Sequence, residues 1–456
     1  MEKIAQISSS QRMVTNTWTG ALSPPRNIPG SAEVVIIGGG IVGVSTAWFL
    51  AKRGVNVVLC EKGHIAGEQS GRNWGWVRQQ GRDPRELPMM IDSLNIYENL
   101  EREIGEDVGF SRGGCLYMAD TDQEVEGYHD WLEVAQQFDL DSEILDKDRL
   151  KREVVLPQDT WVGALHTPSD GRAEPHKVTP AIARAATREG AHIMSSCAVR
   201  GIESEAGRVS SVVTEHGVIK TTTVLCAAGA WTSIFCRSLG ISIPQLQTRG
   251  TVARTSPGKQ VISGTLFCDR LGIRRRDDGG YTLANATIME HTIKPTTLKY
   301  ATKFLPLFLQ EASSLNLRFS TDFFKDLISP NKWDLDKISP FEKVRVLDPE
   351  TKAADINNIQ QNFRSVFPEL SDLSIVETWS GMVEASPDVV PIIDEIGDIP
   401  GFYVATGFSG HGFGIGPGAG KAIAEMLVND PSAINLKPFS LSRFFDGTPI
   451  RPSGSI

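Results

Sequence analysis

Three glycines near the N-terminus have the types and spacing needed to bind a nucleotide. Gly38, Gly40 and Gly43 form a G-x-G-x-x-G pattern. The first glycine of such a pattern allows a tight turn, the second lets the backbone approach a pyrophosphate, and the third lets a helix lie close to a strand. Glu61 follows Gly43 by 18 residues, where a carboxylate can accept hydrogen bonds from ribose hydroxyls. An acid here disfavours a 2′-phosphate, so the pattern predicts FAD or NAD.

Two later segments are rich in glycine and polar side chains. Residues 67–78 read GEQSGRNWGWVR, which contains too many hydrogen-bond donors for a core element, and we predict that this loop contacts the cofactor. Residues 406–420 carry a glycine at nearly every second position. This pattern costs backbone entropy and indicates close approach of a ligand rather than packing. A helix predicted at 421–428 would then direct backbone N–H groups at an anion.

Ser409 and His411 offer a different chemistry, because a serine and a histidine can form the nucleophile of a hydrolase. The surrounding sequence is not G-x-S-x-G, since His411 occupies the position of the second glycine. We therefore predict that His411 is a polar neighbour of the cofactor and not a catalytic base.

The elements that must position these motifs predict an α/β fold. Residues 34–37 form an apolar run typical of a strand buried on both faces, 44–53 fits a helix, and 55–60, 224–227 and 402–405 fit further strands. We predict a Rossmann-like nucleotide domain, within a chain that is α+β overall, and a substrate domain on an antiparallel sheet. The nucleotide domain is predicted to comprise residues 31–84, 172–237 and 377–430. The substrate domain is predicted to comprise 85–171 and 238–376, and within it 287–345 form a small inserted helical module. Residues 1–30 and 431–456 are predicted to be tails.

Composition limits the function classes. The chain has 456 residues, 40 % of them apolar, and a net charge of −9, so we predict a multidomain globular protein that does not bind nucleic acid. Six scattered cysteines and eight histidines lack metal-ligand spacing, which predicts neither disulfides nor a metal site. Residues 1–30 contain no apolar stretch suited to a signal peptide or anchor. We expect a cytoplasmic protein, with peripheral contact to the inner membrane as the alternative.

The sequence resembles the D-amino-acid oxidase superfamily of FAD-dependent oxidoreductases. The resemblance rests on GGGIVG at 38–43 with Glu61, on AAGAW at 227–231, and on ATGFSGHGFGIGPGAGK at 405–421. This superfamily includes sarcosine and glycine oxidases, D-amino-acid dehydrogenases and bacterial L-amino-acid deaminases, and its members oxidise C–N bonds. The resemblance implies that the cofactor is FAD and that the Rossmann-like domain is an FAD-binding domain.

Within the superfamily, the resemblance is closest to L-amino-acid deaminases of the Proteus type. It is carried by IAGEQSGR (65–72), KFLPL (303–307), WDLDKISPFEKVR (333–345), WSG (379–381) and KPFSLSRF (437–444). In those deaminases the third of these blocks belongs to an inserted module. The loop FSGHGFG looks more like the sarcosine-oxidase branch. Gly381 stands where monomeric sarcosine oxidases carry a cysteine bonded to the flavin, so we expect the FAD to be non-covalent.

The resemblance also implies which residues contact the substrate and the cofactor. Arginine suits the anchoring of a substrate carboxylate because its guanidinium pairs with it bidentately. Arg276 falls where the deaminases place such an arginine and Arg78 where sarcosine oxidases do, and Trp76 and Trp379 are predicted to wall the pocket. The predicted FAD contacts are Gly38, Gly40, Ile41, Val42, Gly43, Glu61, Lys62, Gln69, Ser70, Gly71, Arg72, Asn73, Trp74, Gly75, Val199, Ala228, Gly229, Trp231, Gly381, Gly407, Phe408, Ser409, Gly410, His411, Gly412, Phe413 and Gly414.

The predicted reaction is hydride transfer from the carbon that bears the nitrogen to flavin N5, followed by hydrolysis of the imine to a 2-oxo acid and ammonia. We expect an amino acid with an apolar or aromatic side chain, and sarcosine, another N-alkyl amino acid or a D-amino acid is the alternative. Dioxygen or a respiratory quinone is expected to accept the electrons. The rival interpretations are an NAD-dependent dehydrogenase, in which residues 406–420 would have no role, and a non-catalytic flavin-binding subunit.

Overall fold

The computed structural model describes residues 27–153, 161–286, 289–312, 315–328 and 330–452. Most of the predicted tail at 1–30 and the first two residues of the predicted inserted module lie outside this part of the chain. The described residues form two large sheets, two small sheets and helices around them. This arrangement confirms the predicted α/β fold class.

The first large sheet gathers strands from distant parts of the chain. In order across the sheet, the strands are Ile392–Glu395, Phe402–Thr406, Val224–Cys226, Val34–Ile37, Val57–Cys60 and His192–Met194. Neighbouring strands are parallel, except that the first runs antiparallel to the second. All six fall inside the ranges predicted for the nucleotide domain, whose exact boundaries stay a prediction.

Both faces of this sheet are buried. Val34 and Ile36 pack into one hydrophobic cluster, and Val35 and Ile37 pack into another, as the two-residue period of a strand requires. The first cluster includes residues of the helices Ile41–Ala51, Leu87–Ile104, Pro175–Arg188 and Gly412–Leu427. The second includes a three-stranded sheet of Val199–Glu205, Arg208–Thr214 and Gly217–Lys220. Burial on two sides fixes where the parallel strands end, and therefore where a ligand can bind.

The C-terminal glycine segment is helical over more of its length than predicted. The helix is Gly412–Leu427, and the prediction of a helix only at 421–428 is wrong. A Cβ on Gly416 or Gly420 would lie 2.8 or 2.5 Å from side chains of the helix Ile41–Ala51. These two glycines allow close packing of two helices, which corrects the expectation that the glycines of this segment serve only a ligand.

The second large sheet is mostly antiparallel, as predicted. Two neighbouring pairs are parallel, namely Thr265–Phe267 with Cys115–Ala119, and Met289–Thr292 with Leu315–Arg318. The strand Ile375–Ala385 pairs along nearly all of Leu246–Thr255. In order across the sheet, the other strands are Leu315–Arg318, Met289–Thr292, Leu246–Thr255, Tyr281–Asn285, Leu271–Arg275, Thr265–Phe267, Cys115–Ala119, Gly163–Thr167 and Glu143–Asp146.

The remaining elements are short or lie at the periphery. A small sheet joins Trp76–Val77, Gly171–Arg172 and Ser111–Arg112. Among the described residues, no helix combines the length and the apolar character needed to cross a bilayer. The other helices are Gln69–Arg72, Asp122–Gln137, Lys147–Glu153, Thr232–Ser238, Pro295–Lys299, Ala301–Gln310, Asp322–Ile328, Pro340–Lys343 and Ala353–Val366, with 3-10 turns at Gly229–Trp231, Pro368–Leu370, Lys437–Phe439 and Leu441–Phe444.

The end of the predicted inserted module packs beneath the nucleotide sheet. Phe341 is buried in the same cluster as Val35. Glu342 pairs with Arg200 at 2.7 Å, and Arg345 pairs with a glutamate of the three-stranded sheet region at 2.5 Å. Apolar burial and ion pairs therefore hold this part of the module against the nucleotide side of the protein.

The predicted C-terminal tail at 431–456 contains packed structure. Phe439 and Phe444 are buried, and Arg443 donates to the two carboxylate oxygens of Asp388 at 2.9 and 3.0 Å. A bidentate pair of this kind is among the stronger hydrogen-bonded contacts in proteins. Residues 437–444 are therefore part of the folded unit.

Candidate functional site

One elongated cavity collects the glycine-rich segments. Its internal volume is about 280 Å³. The lining includes Ile37, Glu61, Ala227 and Ala405. Each of these residues is one of the last two residues of a parallel strand or directly follows the strand. Ligands of doubly wound sheets bind at this edge. The parallel sheet therefore positions the cavity.

The N-terminal glycine motif forms the predicted tight turn. Gly38 has a φ of +114°, and a Cβ there would lie 2.4 Å from the carbonyl oxygen of Ala227. A Cβ on Gly43 would lie 2.1 Å from the carbonyl oxygen of Gly38. The N–H of Ile41 donates to Ser70 Oγ at 2.9 Å, which joins the turn to the loop at 67–78. Glycine is required at positions 38 and 43 by the close approach of neighbouring backbone.

Glu61 is held by two backbone N–H groups. Its carboxylate accepts hydrogen bonds from Gly39 and Gly63, each at 2.7 Å. Burial raises the pKa of Glu61, and these hydrogen bonds partly oppose the rise. A carboxylate has about four lone-pair positions, so acceptor capacity remains for hydroxyl groups in the cavity.

A charged and aromatic cluster lies beside Glu61. Lys62 Nζ is 3.0 Å from Glu68 and 4.1 Å from the centre of a Trp231 ring. Trp231 Nε1 donates to Glu68 at 3.0 Å, and Lys62 donates to the carbonyl of Arg345 at 3.0 Å. These contacts bring the predicted residues Lys62 and Trp231 together with the end of the inserted module.

Glu384 is a buried carboxyl group that the sequence analysis missed. It accepts hydrogen bonds from Gln245 Nε2 at 2.5 Å, from Thr406 Oγ1 at 3.1 Å and from the N–H of Gly407 at 3.1 Å. Burial raises the pKa of Glu384 to about 7, although the hydrogen bonds from Thr406 and Gly407 oppose the rise. The available signal was its place three residues after Gly381, in the segment WSGMVEA.

His411 lies in the cavity wall and Ser409 lies behind it. His411 Nδ1 is 2.9 Å from a carboxylate oxygen of Glu86, and both side chains are buried. Burial lowers the pKa of His411. Ser409 Oγ accepts a hydrogen bond from the N–H of Ser386 at 3.1 Å. Ser409 thereby stabilises the loop, which gives it a structural role distinct from that of a nucleophile.

A cluster of aromatic rings forms part of the cavity lining. Ring centres are 5.5 Å apart for Trp74 and Trp76, 6.5 Å for Trp76 and Phe267, and 5.3 Å for Tyr117 and Phe267. The guanidinium of Arg78 lies 5.6 Å from the centre of the Tyr117 ring. The arrangement places a cation in a largely apolar enclosure, where its attraction for an anion is stronger than in water.

Arg82 is a second cation in the cavity lining, which the sequence analysis also missed. It is buried, its Nε donates to the carbonyl of Arg78 at 3.2 Å, and its Nη1 has no hydrogen-bond partner among the described residues. Burial lowers the pKa of Arg82 to about 9, and the charge of Arg78 adds to the effect. The signal that could have found it is a second arginine four residues after the first.

Arg276, the predicted carboxylate anchor, lies in a separate cavity of about 70 Å³. It is 3.6 Å from Glu174 and 3.2 Å from Asp278. Arg274 beside it donates to both carboxylate oxygens of Glu174, at 2.8 and 3.1 Å. Arg274 and Arg276 therefore lie together outside the lining of the elongated cavity.

Most of the other predicted residues line the elongated cavity. Trp76 and Arg78 do so, whereas Trp379 lines the smaller cavity and donates from Nε1 to the carbonyl of Arg72 at 2.8 Å. Gly43, Gly71, Gly75, Gly407, Ser409 and Gly414 lie outside the cavity lining. The predicted FAD contacts that line it are Gly38, Gly40, Ile41, Val42, Glu61, Lys62, Gln69, Ser70, Arg72, Asn73, Trp74, Val199, Ala228, Gly229, Trp231, Gly381, Phe408, Gly410, His411, Gly412 and Phe413.

The donors and acceptors of this cavity fit FAD. Two helices begin at its wall, Ile41–Ala51 and Gly412–Leu427, and each helix N-terminus favours negative charge. The first suits a pyrophosphate. The second suits the charge of a reduced flavin and would have no role with NAD. Glu61 has acceptor capacity for ribose hydroxyls.

Comparison with known proteins agrees with this fit. The sequence model of the family described as "DAO: FAD dependent oxidoreductase" matches residues 33–426. An L-amino acid deaminase from Proteus myxofaciens is similar in structure, with a TM-score of 0.89 and 31 % identity over 92 % of this chain and 95 % of that one. The beta subunit of sarcosine oxidase from Arthrobacter sp is 26 % identical over 93 % of this chain and 94 % of its own length.

Mitochondrial sarcosine dehydrogenase from Mus musculus is also similar, at 27 % identity over 92 % of this chain. The chain spans only 42 % of that relative's length. The family match covers most of the chain and confirms the predictions of an enzyme and of FAD as its cofactor. The chain belongs to the DAO family of FAD-dependent oxidoreductases.

Proposed function

We propose that the protein oxidises the C–N bond of an amino acid or a closely related amine. The observation that carries the proposal is Arg78, whose guanidinium lies among aromatic rings in the cavity that also contains the FAD segments. A substrate carboxylate would pair with this guanidinium. Arg78 replaces Arg276 as the proposed anchor, because Arg276 lies in another cavity beside two carboxylates.

The proposed chemistry is a hydride transfer followed by hydrolysis. Bound FAD would accept a hydride at N5. Loss of that hydride from the carbon bearing a neutral amine leaves an iminium ion, which is the protonated imine, and addition of water then gives a 2-oxo acid and an ammonium ion. The contribution of Arg78 and of the rings of Trp74, Trp76 and Tyr117 is to orient the substrate and exclude water, which together supply much of the rate in such reactions.

An N-alkyl amino acid is the second candidate substrate class. Two observations favour it: the loop FSGHGFG, which resembles the sarcosine-oxidase branch, and the similarity to the beta subunit of sarcosine oxidase along nearly its whole length. The cavity lining is compatible with both classes, because both carry a carboxylate on a carbon that bears the amine nitrogen.

Anaerobic mixing tests the proposal directly. The holoenzyme is mixed with L-amino acids, D-amino acids, N-methyl amino acids and simple amines, and the absorbance of oxidised flavin is followed. We expect bleaching by amines that carry a carboxylate, and formation of a 2-oxo acid with primary amino acids. Absence of bleaching by the whole panel would contradict the proposal and favour a non-catalytic subunit. Reoxidation by dioxygen or by a quinone then identifies the acceptor.

The FAD is proposed to be non-covalent. Gly381 lines the cavity at the position where the related oxidases carry a linking cysteine, and glycine offers no side chain for a bond. Acid precipitation is expected to leave all the flavin in the supernatant. Flavin that stays with the precipitated protein would show a covalent link.

A further inference from the structure

We propose that the substrate carries two carboxylates, one bound by Arg78 and the other by Arg82. The inference rests on the proposed function and narrows its substrate class from amino acids in general to amines with two acidic groups. It differs from the expectation of an apolar or aromatic side chain. Its basis is that both arginines line one cavity and are neighbours there, since Arg82 Nε donates to the carbonyl of Arg78.

The two guanidinium groups lie near the carboxylates of Glu86 and Asp170 but do not pair with them directly. Among the described residues, no carboxylate forms an ion pair with Arg78 or Arg82. Arg82 is only 5 % exposed and its Nη1 is an unpartnered buried donor. A buried charge without a partner is costly, and leaving a buried donor unpaired adds to the cost. An anion in the cavity would remove both costs.

The nearby carboxylates of Glu86 and Asp170 form their hydrogen bonds with groups other than the two arginines. The charge of Glu86 acts on Arg82, one carboxylate oxygen of Glu86 lies 2.9 Å from His411 Nδ1, and the other has no hydrogen-bond partner among the described residues. Asp170 accepts hydrogen bonds from the N–H groups of Gln79 and Gln80, at 2.6 and 3.1 Å. Both carboxylates therefore stabilise the wall behind the two arginines.

The acids that line the cavity belong to other segments. They are Glu61, Glu68 and Glu384, which contact the glycine-rich FAD segments through the hydrogen bonds described above. A substrate with one carboxylate and a neutral amine supplies a direct ion-pair partner for one guanidinium. A second carboxylate, on the side chain or on the amine nitrogen, supplies a partner for the other.

Each arginine is also held by its own backbone contact. Arg78 Nη1 donates to the carbonyl of Gln80, and Arg82 Nε donates to the carbonyl of Arg78. These separate contacts favour two anion positions over a single carboxylate clamped by both side chains. The alternative, which the experiment must distinguish from the proposal, is that both arginines bind the same carboxylate.

The experiment uses acids that cannot be oxidised. Glutarate and succinate are compared with their monoamides, which keep the size and lose one charge, and binding to the holoenzyme is followed by the change in flavin absorbance and by thermal shift. We expect each diacid to bind about 10- to 100-fold more tightly than its monoamide, the range for hydrogen bonds to charged groups. Arg82→Met should bring this ratio close to one and leave monoamide binding unchanged. Arg276→Met is the matched control and should retain the ratio.

Two results would overturn the inference. One is equal binding of diacid and monoamide by the unaltered protein, a comparison that stands even if Arg82→Met does not fold. The other is equal weakening of both ligands by Arg82→Met, which would indicate a shared clamp. If diacids bind as expected but no amine reduces the flavin, the proposed function fails and the two-carboxylate site stands. If amines with one carboxylate reduce the flavin as efficiently as those with two, the inference fails and the proposed function stands.

Discussion

The two arginine pairs of this protein differ in what neutralises them. Arg82 and Arg274 are both buried, at 5 % and 1 % exposure, so burial alone does not separate their roles. Arg274 and its neighbour Arg276 face Glu174, whereas Arg78 and Arg82 face a cavity. A buried cation with an internal partner contributes to folding, and one without a partner is available to a ligand. The presence of a partner therefore indicates function better than residue type or depth does.

The largest effect on stability is expected when the buried ion pair between Glu174 and Arg274 is broken. Glu174→Gln leaves Arg274 buried without a counter-charge, and removal of one member of such a pair costs about 3 to 5 kcal/mol. Chemical denaturation should show this loss in the free energy of unfolding, while the remaining folded protein keeps its substrate affinity. Glu369→Gln, which breaks a more exposed pair with Lys259, is the control and should cost about 1 kcal/mol or less.

For an arginine that lines the cavity, we expect a large loss of substrate binding and a small loss of stability. Arg78→Met should weaken substrate binding by about 2 to 5 kcal/mol, the cost of truncating one partner of a desolvated charge pair, and should change the free energy of unfolding much less. The measurement is the apparent KM together with the flavin content. Arg276→Met is the control. If KM rose for Arg276→Met and not for Arg78→Met, Arg276 would be the carboxylate anchor and the roles assigned to the two arginine pairs would be exchanged.

Glu384 is a buried acid that, unlike Glu174, accepts hydrogen bonds from neutral groups. Because burial raises its pKa in the folded state to about 7, against about 4.5 when unfolded, its contribution to stability is complete below pH 4.5 and is lost as the pH rises towards 7. The loss would reach at most about 3 kcal/mol. The unfolding free energy of Glu384→Gln should therefore fall less than that of the parent between pH 4.5 and 8. Parallel profiles would contradict this.

Glu174 should show the opposite pH dependence. Burial alone would raise its pKa, but the charge and hydrogen bonds of Arg274 lower it to about 2, so its stabilising contribution is complete above pH 4.5 and is lost as the pH falls towards 2. The unfolding free energy of the parent should drop over this range, and that of Glu174→Gln should drop less. Equal slopes would show that the pair does not carry the acid sensitivity.

The smallest effect concerns Arg82 at high pH. Burial lowers its pKa to about 9 in the free protein, so it loses its charge above that value. The advantage of a diacid over its monoamide should then fall by about tenfold at pH 10. Titration of the flavin absorbance with both ligands at pH 8 and pH 10 provides the measurement. An unchanged ratio would place the second carboxylate elsewhere.

The nucleotide half of the site was predictable because its signals are local. The run from Val34 to Glu61 encodes a strand, a tight turn, a helix and a second strand within one continuous segment. The constraint at Gly38 and Gly43 is the close approach of neighbouring backbone, which only glycine permits. Spacing alone is sufficient to recognise such a unit.

The substrate half was not predictable in the same way, because it depends on how distant strands are oriented. The place of Arg276 in the sequence suggested a substrate anchor, but the alternation of side chains along a strand does not tell which side of the sheet faces the cavity. Arg82 lies in a stretch without regular structure, where no periodicity applies. The glycines of 412–420 were misread because close helix packing and close ligand approach leave the same signature in a sequence.

The order of the strands has a consequence for biosynthesis. The six-stranded sheet places Phe402–Thr406 beside Val224–Cys226 and that strand beside Val34–Ile37, and the helix Gly412–Leu427 packs on Ile41–Ala51. Contacts between such distant positions form slowly, because long loops must close first. A ribosome that has synthesised the first 400 residues has therefore not yet delivered the strand and helix that complete the FAD cavity. Cofactor capture must wait until the helix that ends at Leu427 has left the ribosome, and until then the glycine motif at 38–43 lacks the partners that complete its cavity.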